Sequence, residues 1–600
     1  MKPDHTDGTR TPAGSRQSAL SATREPMVPA KHVLDRIQGR VLDPATALPV
    51  PGVDPRSTVY VGPRLLVARS EDTEWQVREL ARIAASLGWS VTRDGRLIDA
   101  DGAAVEDDPA GTGAGEPDER RAAEEEALAA RRKRRDVAPV DPSVPDEDRS
   151  DEDRLGVVRL DFRVNSEGAT LAPDGWVVLQ NARAKHGLER LDGVGLDHVV
   201  LVRSDIGAAP FHTSNPFHTS NPFHTSNPFH TSNPVSSYAT LGFGGRQPVA
   251  YVGPRPRRRD VGEVTGRRPV VAVLDTGCGT HPWLDDVVKK HVMLDEGAGF
   301  QDIGDVDEQT DPEEYFDQVG ALDGGIDALS GHGTFIAGLV HQACPDADVV
   351  AWRVVRSEGP IVESDLVATL EQIAEVARRH RDGLPGGYPI DVLNLSMGYY
   401  HETPTDLQFD KTMYRILEKL GRCGVAVVCS AGNDSTARAM FPAAFGPWVV
   451  PEDQVVATDP DVVPVTAVGA LNPNGYTDAL FSNAGPWVTT YAEGALVMST
   501  MPVGFQGGLE PMARTEIYQR VRESIDPDNF IAGFALWSGT SFAAPLFAGR
   551  VAQRMVDGID DVHDGRRAAR DRARAAVTAE VEAAETLRTQ RLEALKHITP

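Results

Sequence analysis

The chain has 600 residues, 40% of them hydrophobic, which is too long for one ordinary core, so two or more domains joined by linkers are expected. The formal net charge of -27 argues against nucleic acid and anionic membrane as partners, because the long-range field repels polyanions. No apolar region follows Met1-Lys2-Pro3-Asp4-His5 and no run of about 18 apolar residues occurs, so neither an export signal nor a membrane span is read. The cysteines are Cys278, Cys344, Cys423 and Cys429, with no CxxC spacing. They fit a reduced, cytoplasmic protein, with a Cys423–Cys429 disulfide as the minor alternative.

Residues 1–30 are rich in Ser, Thr, Pro, Arg and Gly without periodicity and are expected to be a disordered tail. Ser57 to Val61 and Leu65 to Ala68 read as extended chain. Val77, Leu80, Ala81 and Ala84 then recur at helical spacing, and Gly88 ends that helix. Trp89 to Thr92 and Val157 to Val164 read as strands. Asp174 to Arg183 reads as a helix capped by Asp174, although Val177-Val178-Leu179 would also suit a strand. His198 to Val202 is the last strand. Strand-helix-strand twice over predicts a ferredoxin-like α+β domain over residues 31–205.

That domain carries an insertion at 101–154 with blocks Glu124-Glu125-Glu126, Arg131-Arg132-Lys133-Arg134-Arg135 and Asp146-Glu147-Asp148. Charge blocks of this kind read as a solvated linker, and the acidic runs on both sides weaken a nucleic-acid patch at the basic cluster. Residues 211–234 are four copies of Phe-His-Thr-Ser-Asn-Pro, with prolines at 216, 222, 228 and 234 that forbid a continuous helix or central strand. His212, His218, His224 and His230 could suit a metal-binding tract, but metal sites need fixed geometry, so a flexible linker over 206–262 is expected. Pro254-Arg255-Pro256-Arg257-Arg258-Arg259 reads as an exposed, cleavable stretch.

The chemistry lies downstream. Val270 to Leu274 is an apolar run suited to a buried parallel strand, and it ends in Asp275-Thr276-Gly277. Catalytic groups in α/β sheets collect at such carboxyl ends. Gly331-His332-Gly333-Thr334 follows, leading into small and apolar residues that read as a buried helix. Asp391 to Gly398 is another strand with a polar, glycine-bearing end. Val425 to Asn433 is a third, and an Asn side chain at a strand end can donate to a developing oxyanion. Gly539-Thr540-Ser541-Phe542-Ala543-Ala544-Pro545 places a serine among small residues at a strand-to-helix turn.

These four motifs, in the order Asp, His, Asn, Ser, resemble the signatures of subtilisin-like serine proteases (subtilases). His281-Pro282, Phe441-Pro442-Ala443 and Phe481-Ser482-Asn483-Ala484-Gly485 add to the resemblance, which covers roughly residues 265–560. It implies a peptidase domain at 263–560 with an α/β fold, a parallel sheet flanked by helices. It implies Ser541 as nucleophile, His332 as general base and Asp275 as its orienting carboxylate. Asn433 with the Ser541 amide would form the oxyanion hole. Leu395-Ser396-Met397-Gly398 would be the strand edge that pairs with an extended peptide.

The N-terminal domain resembles the propeptides of this family, so its tail is expected in the cleft and a processing site in the repeats or the Arg-rich stretch. Many members of the family bind calcium. No EF-hand spacing is present here, so no cofactor is expected, with calcium kept as the alternative. Ten acidic residues between 302 and 327 read as an acidic loop that gates the site or selects basic substrates. Cys278 and Cys429 read as small buried residues, with a thiol sensor as the alternative. A helical stretch from Thr515 to Ser524 is expected in the segment before the nucleophile, and a long helix fills 561–600, with apolar positions at Val577, Val581, Leu587, Leu592 and Leu595. The expected function is a serine endopeptidase acting on protein or peptide substrates and controlled by its N-terminal domain. The alternative is an interaction module whose protease stays latent until a regulatory partner protein binds.

Overall fold

The computed structural model describes residues 26, 28–105, 156–165, 171–202, 238–240, 244–295, 300–319, 323–357, 359–403, 411–448, 459–559 and 565–596. The tail at 1–25, most of the charged insertion and the repeat tract lie outside the described residues.

The N-terminal part contains β1 (Thr58–Ala68), α1 (Thr73–Ser86), β2 (Trp89–Arg93), β3 (Val157–Val164), α2 (Gly175–His186) and β4 (Val194–Val200). The sheet runs β4-β1-β3-β2 with every neighbour antiparallel, the strand order of two interleaved βαβ units. The ambiguous stretch after Asp174 is a helix because Asp174 accepts the Trp176 N–H at 2.9 Å, meeting one of the donors a helix start leaves unpaired. Trp176, Leu179 and Ala182 on that helix join Leu80 and Ala84 of α1 against Leu65, Phe162 and Leu196 of the sheet, all buried. The last strand ends two residues earlier than expected, because Leu201 has left this sheet for another partner.

The larger part is built on β5 (Val270–Asp275), β6 (Val288–Lys289), β7 (Asp348–Arg353), β9 (Val392–Leu395), β10 (Ala426–Ser430), β11 (Thr466–Leu471) and β12 (Thr490–Glu493). Their order is β12-β11-β10-β9-β5-β7-β6, parallel throughout. Side chains alternate along a strand. Accordingly Val271 and Val273 of β5 face one core, with Phe335 and Ile336 of α3 (His332–Ala343) and Phe547 of α6 (Thr540–Met555). Ala272 and Leu274 face the other, with Leu366, Leu370 and Ile373 of α4 (Glu363–Arg381) and Ile416 and Leu420 of α5 (Lys411–Arg422). Burial on both faces is why these strands read as unbroken apolar runs.

Two expectations change. Thr515 to Ser524 is an exposed hairpin of β13 (Arg514–Ile517) and β14 (Arg520–Glu523), not a helix. Its turn residues Tyr518 and Gln519 take φ of 52° and 62°, the left-handed pair that tight hairpins use. The Arg-rich stretch is docked rather than free. Arg258 donates to the Pro345 and Ala347 carbonyls and pairs with Asp348, while Arg259 pairs with Asp346 and Asp557. The terminal helix α7 (Arg566–Lys596) packs through Ala569, Ala573, Ala576 and Val577, whereas Leu587 and Leu592 are exposed. Among the described residues no helix is long and apolar enough to cross a membrane.

The two parts share a sheet edge. β8 (Ile361–Val362), just before α4, pairs antiparallel with β4 through Ile361–Val200 and Val362–Val199. The N-terminus of α4 has no cap from its own segment. Asp197 of β4 supplies it, accepting the Ser364 N–H and hydroxyl, both at 2.9 Å.

Candidate active site

Asp275 is the last residue of β5 and is fully buried. Its Oδ1 accepts from the Thr276 N–H at 2.8 Å, which fixes the carboxylate. His332 opens α3, and its Nδ1 lies 2.6 Å from the same Oδ1. Two glycines make this approach feasible. Gly331 sits at φ 83°, a left-handed conformation that suits a residue without Cβ. A Cβ on Gly333 would collide with the Gly277 carbonyl.

Phe542 and Trp537 wall the imidazole, with ring centroids 5.2 Å and 5.7 Å away. His332 Nε2 is buried and makes no hydrogen bond with the described residues.

Ser541 is the second residue of α6, so its N–H is among the donors that a helix start leaves unpaired. Its Oγ points to the Ser396 carbonyl at 3.4 Å rather than to His332. The structure thus brings the Asp–His half of the constellation into contact and leaves the His–Ser contact unmade. Catalytic contacts are often long in substrate-free sites and tighten when substrate is seated. Asn433 stands after β10 with its Oδ1 accepting from the Thr540 N–H at 2.9 Å and hydroxyl at 2.8 Å. That anchor orients the amide so that Nδ2 is the end lying toward Gly539.

Glu313 is the residue that sequence reasoning passed over. It lies in the acidic loop, yet its side chain is buried behind Asp275. It accepts from the Thr276 and Thr334 hydroxyls and from the Gly333 N–H at 3.0 Å, so it ties the Asp275 strand end to the start of the His332 helix. Other acids of the loop are also engaged. Asp327 accepts from the Gln318 and Val319 amides, and Asp305 pairs with Arg356. These contacts tie the described part of the loop to the residues around it.

Burial pushes Glu313 up to about 7. The Thr276 and Thr334 hydrogen bonds oppose that rise, and Asp311 and Asp275 add to it. The folded chain therefore holds this proton more tightly than the unfolded chain, whose carboxyl titrates at 4.5. The resulting stability is full below that value and is lost as pH rises through about 7. Glu313→Gln is expected to gain on the wild type between about pH 5 and about pH 8 in denaturant unfolding. A stability difference that stays constant across that range would contradict the assignment.

Of the four residues read as the substrate edge, Ser396, Met397 and Gly398 line a small cavity together with Gly432, Asn433 and Ser541. Leu395 does not, because its side chain is buried in the core under the sheet. The cavity is already bordered by the N-terminal part. Leu201 pairs antiparallel with Gly398, N–H to carbonyl at 2.9 Å and 3.0 Å, and lines the same cavity. All four cysteines are buried with free thiols. Burial pushes Cys278 up to about 12 and Cys429 higher still, which removes the thiolate that a sensor would need.

One buried cluster has the donor types and closeness to hold a metal ion: His198 of β4, with His401 and Glu402 from the chain after Gly398. These residues lie at the junction of the two parts, away from the Asp275–His332 contact.

The Subtilase family model (peptidase S8) matches residues 266–563. Similar solved structures include fervidolysin from Fervidobacterium pennivorans, described as a keratinolytic enzyme related to subtilisin. It is 17% identical with a TM-score of 0.37, over 85% of this chain and 56% of that one. A cold adapted subtilisin-like serine proteinase is 18% identical with a TM-score of 0.30, over 52% and 82% of the two chains. A lanthipeptide protease is 21% identical with a TM-score of 0.30, over 48% and 73%. This chain thus spans little more than half the length of fervidolysin. The comparison with curated proteins gave no match. The stretch 266–563, which carries Asp275, His332, Asn433 and Ser541 in one α/β unit, belongs to the Subtilase family.

Proposed function

We propose that the chain is a serine endopeptidase that works through an acyl-enzyme and is held in check by its own N-terminal domain. The observation that carries the chemistry is the buried 2.6 Å contact between His332 and Asp275 beside the helix start that bears Ser541. In this reading Asp275 accepts Nδ1–H and fixes the imidazole tautomer, leaving Nε2 to take the Ser541 proton. Ser541 Oγ turns from the Ser396 carbonyl toward Nε2 and attacks the substrate carbonyl. Asn433 Nδ2 and the Ser541 N–H then meet the oxyanion, and His332 returns the proton to the leaving amine. Water repeats the sequence to release the acyl group.

The control by the N-terminal domain is supported by the pairing of Leu201 with Gly398, on the edge where an extended substrate would lie. Gly398, the partner of Leu201, lies two residues along this edge from Ser396, whose carbonyl neighbours Ser541 Oγ, and in the sequence Arg203 lies two residues past Leu201. The bond expected to be cut in the chain itself therefore follows Arg203, upstream of the repeats and of the docked Arg-rich stretch. Intact-mass measurement of the wild type should show a fragment ending at Arg203, and Ser541→Ala should remain whole. Equal release from both proteins, or a cut confined to the repeats, would refute self-processing at this site. Latency of this kind needs no second protein.

A further inference from the structure

We propose that His198, His401 and Glu402 form a zinc-type metal site that joins the N-terminal domain to the peptidase domain. One donor atom from each residue lies within 4.8 Å of the others, and all three side chains are buried. Ligands about 2.1 Å from a shared zinc ion stand about 3.4 Å apart in a tetrahedron, so small side-chain adjustments suffice. Two imidazoles and a carboxylate suit zinc, whereas calcium takes an all-oxygen shell.

Two independent observations point to a ligand. The first is the support around His198. Its Nδ1 lies 2.6 Å from Glu363 Oε2, the carboxylate–imidazole pairing that orients metal-binding histidines and directs Nε2 at the ion. Nε2 in turn faces Glu402 Oε2 at 2.7 Å. The second is Glu402 Oε1, which is buried and accepts no hydrogen bond from the described residues. His401 Nδ1 stands 3.3 Å from Glu402 Oε2 and accepts from the Thr403 N–H at 3.0 Å, a bond that coordination through Nδ1 would replace.

His198 and Glu363 come from opposite domains, so the site forms only when they are docked.

The test uses the full-length chain carrying Ser541→Ala, stripped with a chelator and then dialysed against zinc chloride, with bound zinc counted by mass spectrometry. One zinc per chain is expected. It should be lost in His198→Gln and in His401→Gln and weakened roughly ten- to hundred-fold in Glu363→Gln. It should persist when His212, His218, His224 and His230 are all changed to Gln. Circular dichroism of the stripped proteins separates loss of a ligand from loss of the fold. Cobalt in place of zinc should give visible absorption that is lost in His198→Gln and in His401→Gln. Failure of the unsubstituted chain to retain zinc would overturn the proposal, as would retention by both single-histidine variants or loss only with the repeat histidines.

Discussion

Ser541→Ala should lower kcat by on the order of 10⁶-fold, the size of the same change in subtilisin. The reason is local. Ser541 is the side chain at this site that offers a nucleophile at a helix start, with His332 Nε2 unengaged nearby. Removing one hydroxyl from a site that is only 3% exposed leaves the surrounding packing of Phe542 and Trp537 intact. Thermal unfolding should therefore change little while hydrolysis of a peptide substrate disappears. Residual hydrolysis within about a hundredfold of wild type would mean that another group performs the attack.

Asp275→Asn should cost on the order of 10⁴-fold in kcat, as the equivalent change does in a Ser-His-Asp protease of another fold. An asparagine can still accept from the Thr276 N–H through its oxygen. It cannot carry the charge that pairs with the imidazolium formed when His332 takes the serine proton. The effect should fall on kcat, with KM nearly unchanged, because Asp275 is fully buried behind His332 and does not face the cavity at Ser396. A variant that loses only KM would place Asp275 in substrate binding instead.

The parts of this site that were legible in the sequence share one physical origin. Val270 to Leu274 must be apolar on both faces because both are covered, so the strand announces itself and its polar end stands out. The glycines flanking His332 are required by the backbone there. Other features depend on contacts between distant segments. Ten acids between 302 and 327 look alike on paper, and only the fold turns Glu313 inward against Thr276 and Thr334. The Arg-rich stretch reads as free until Asp346, Asp348 and Asp557 are brought beside it.

Ile517, Val521 and Ile525 fit a helical repeat as well as a strand, and no buried face selects between them, since both hairpin strands are exposed. His198, Glu363 and Glu402 lie far apart in the chain and meet only where the domains dock. The helix at 175–186, by contrast, was decided by one side chain, Asp174, acting within its own segment.

In the proposed reaction Ser541 is the nucleophile, activated by His332 at a cleft bordered by Leu201. Labelling with a fluorophosphonate probe, followed by peptide mapping, tests it most directly. A single adduct on Ser541 is expected, formed slowly in the intact chain and faster once the N-terminal domain has been released, with none in His332→Ala. An adduct on a different serine, or proteolysis that continues after Ser541 has been blocked, would contradict it.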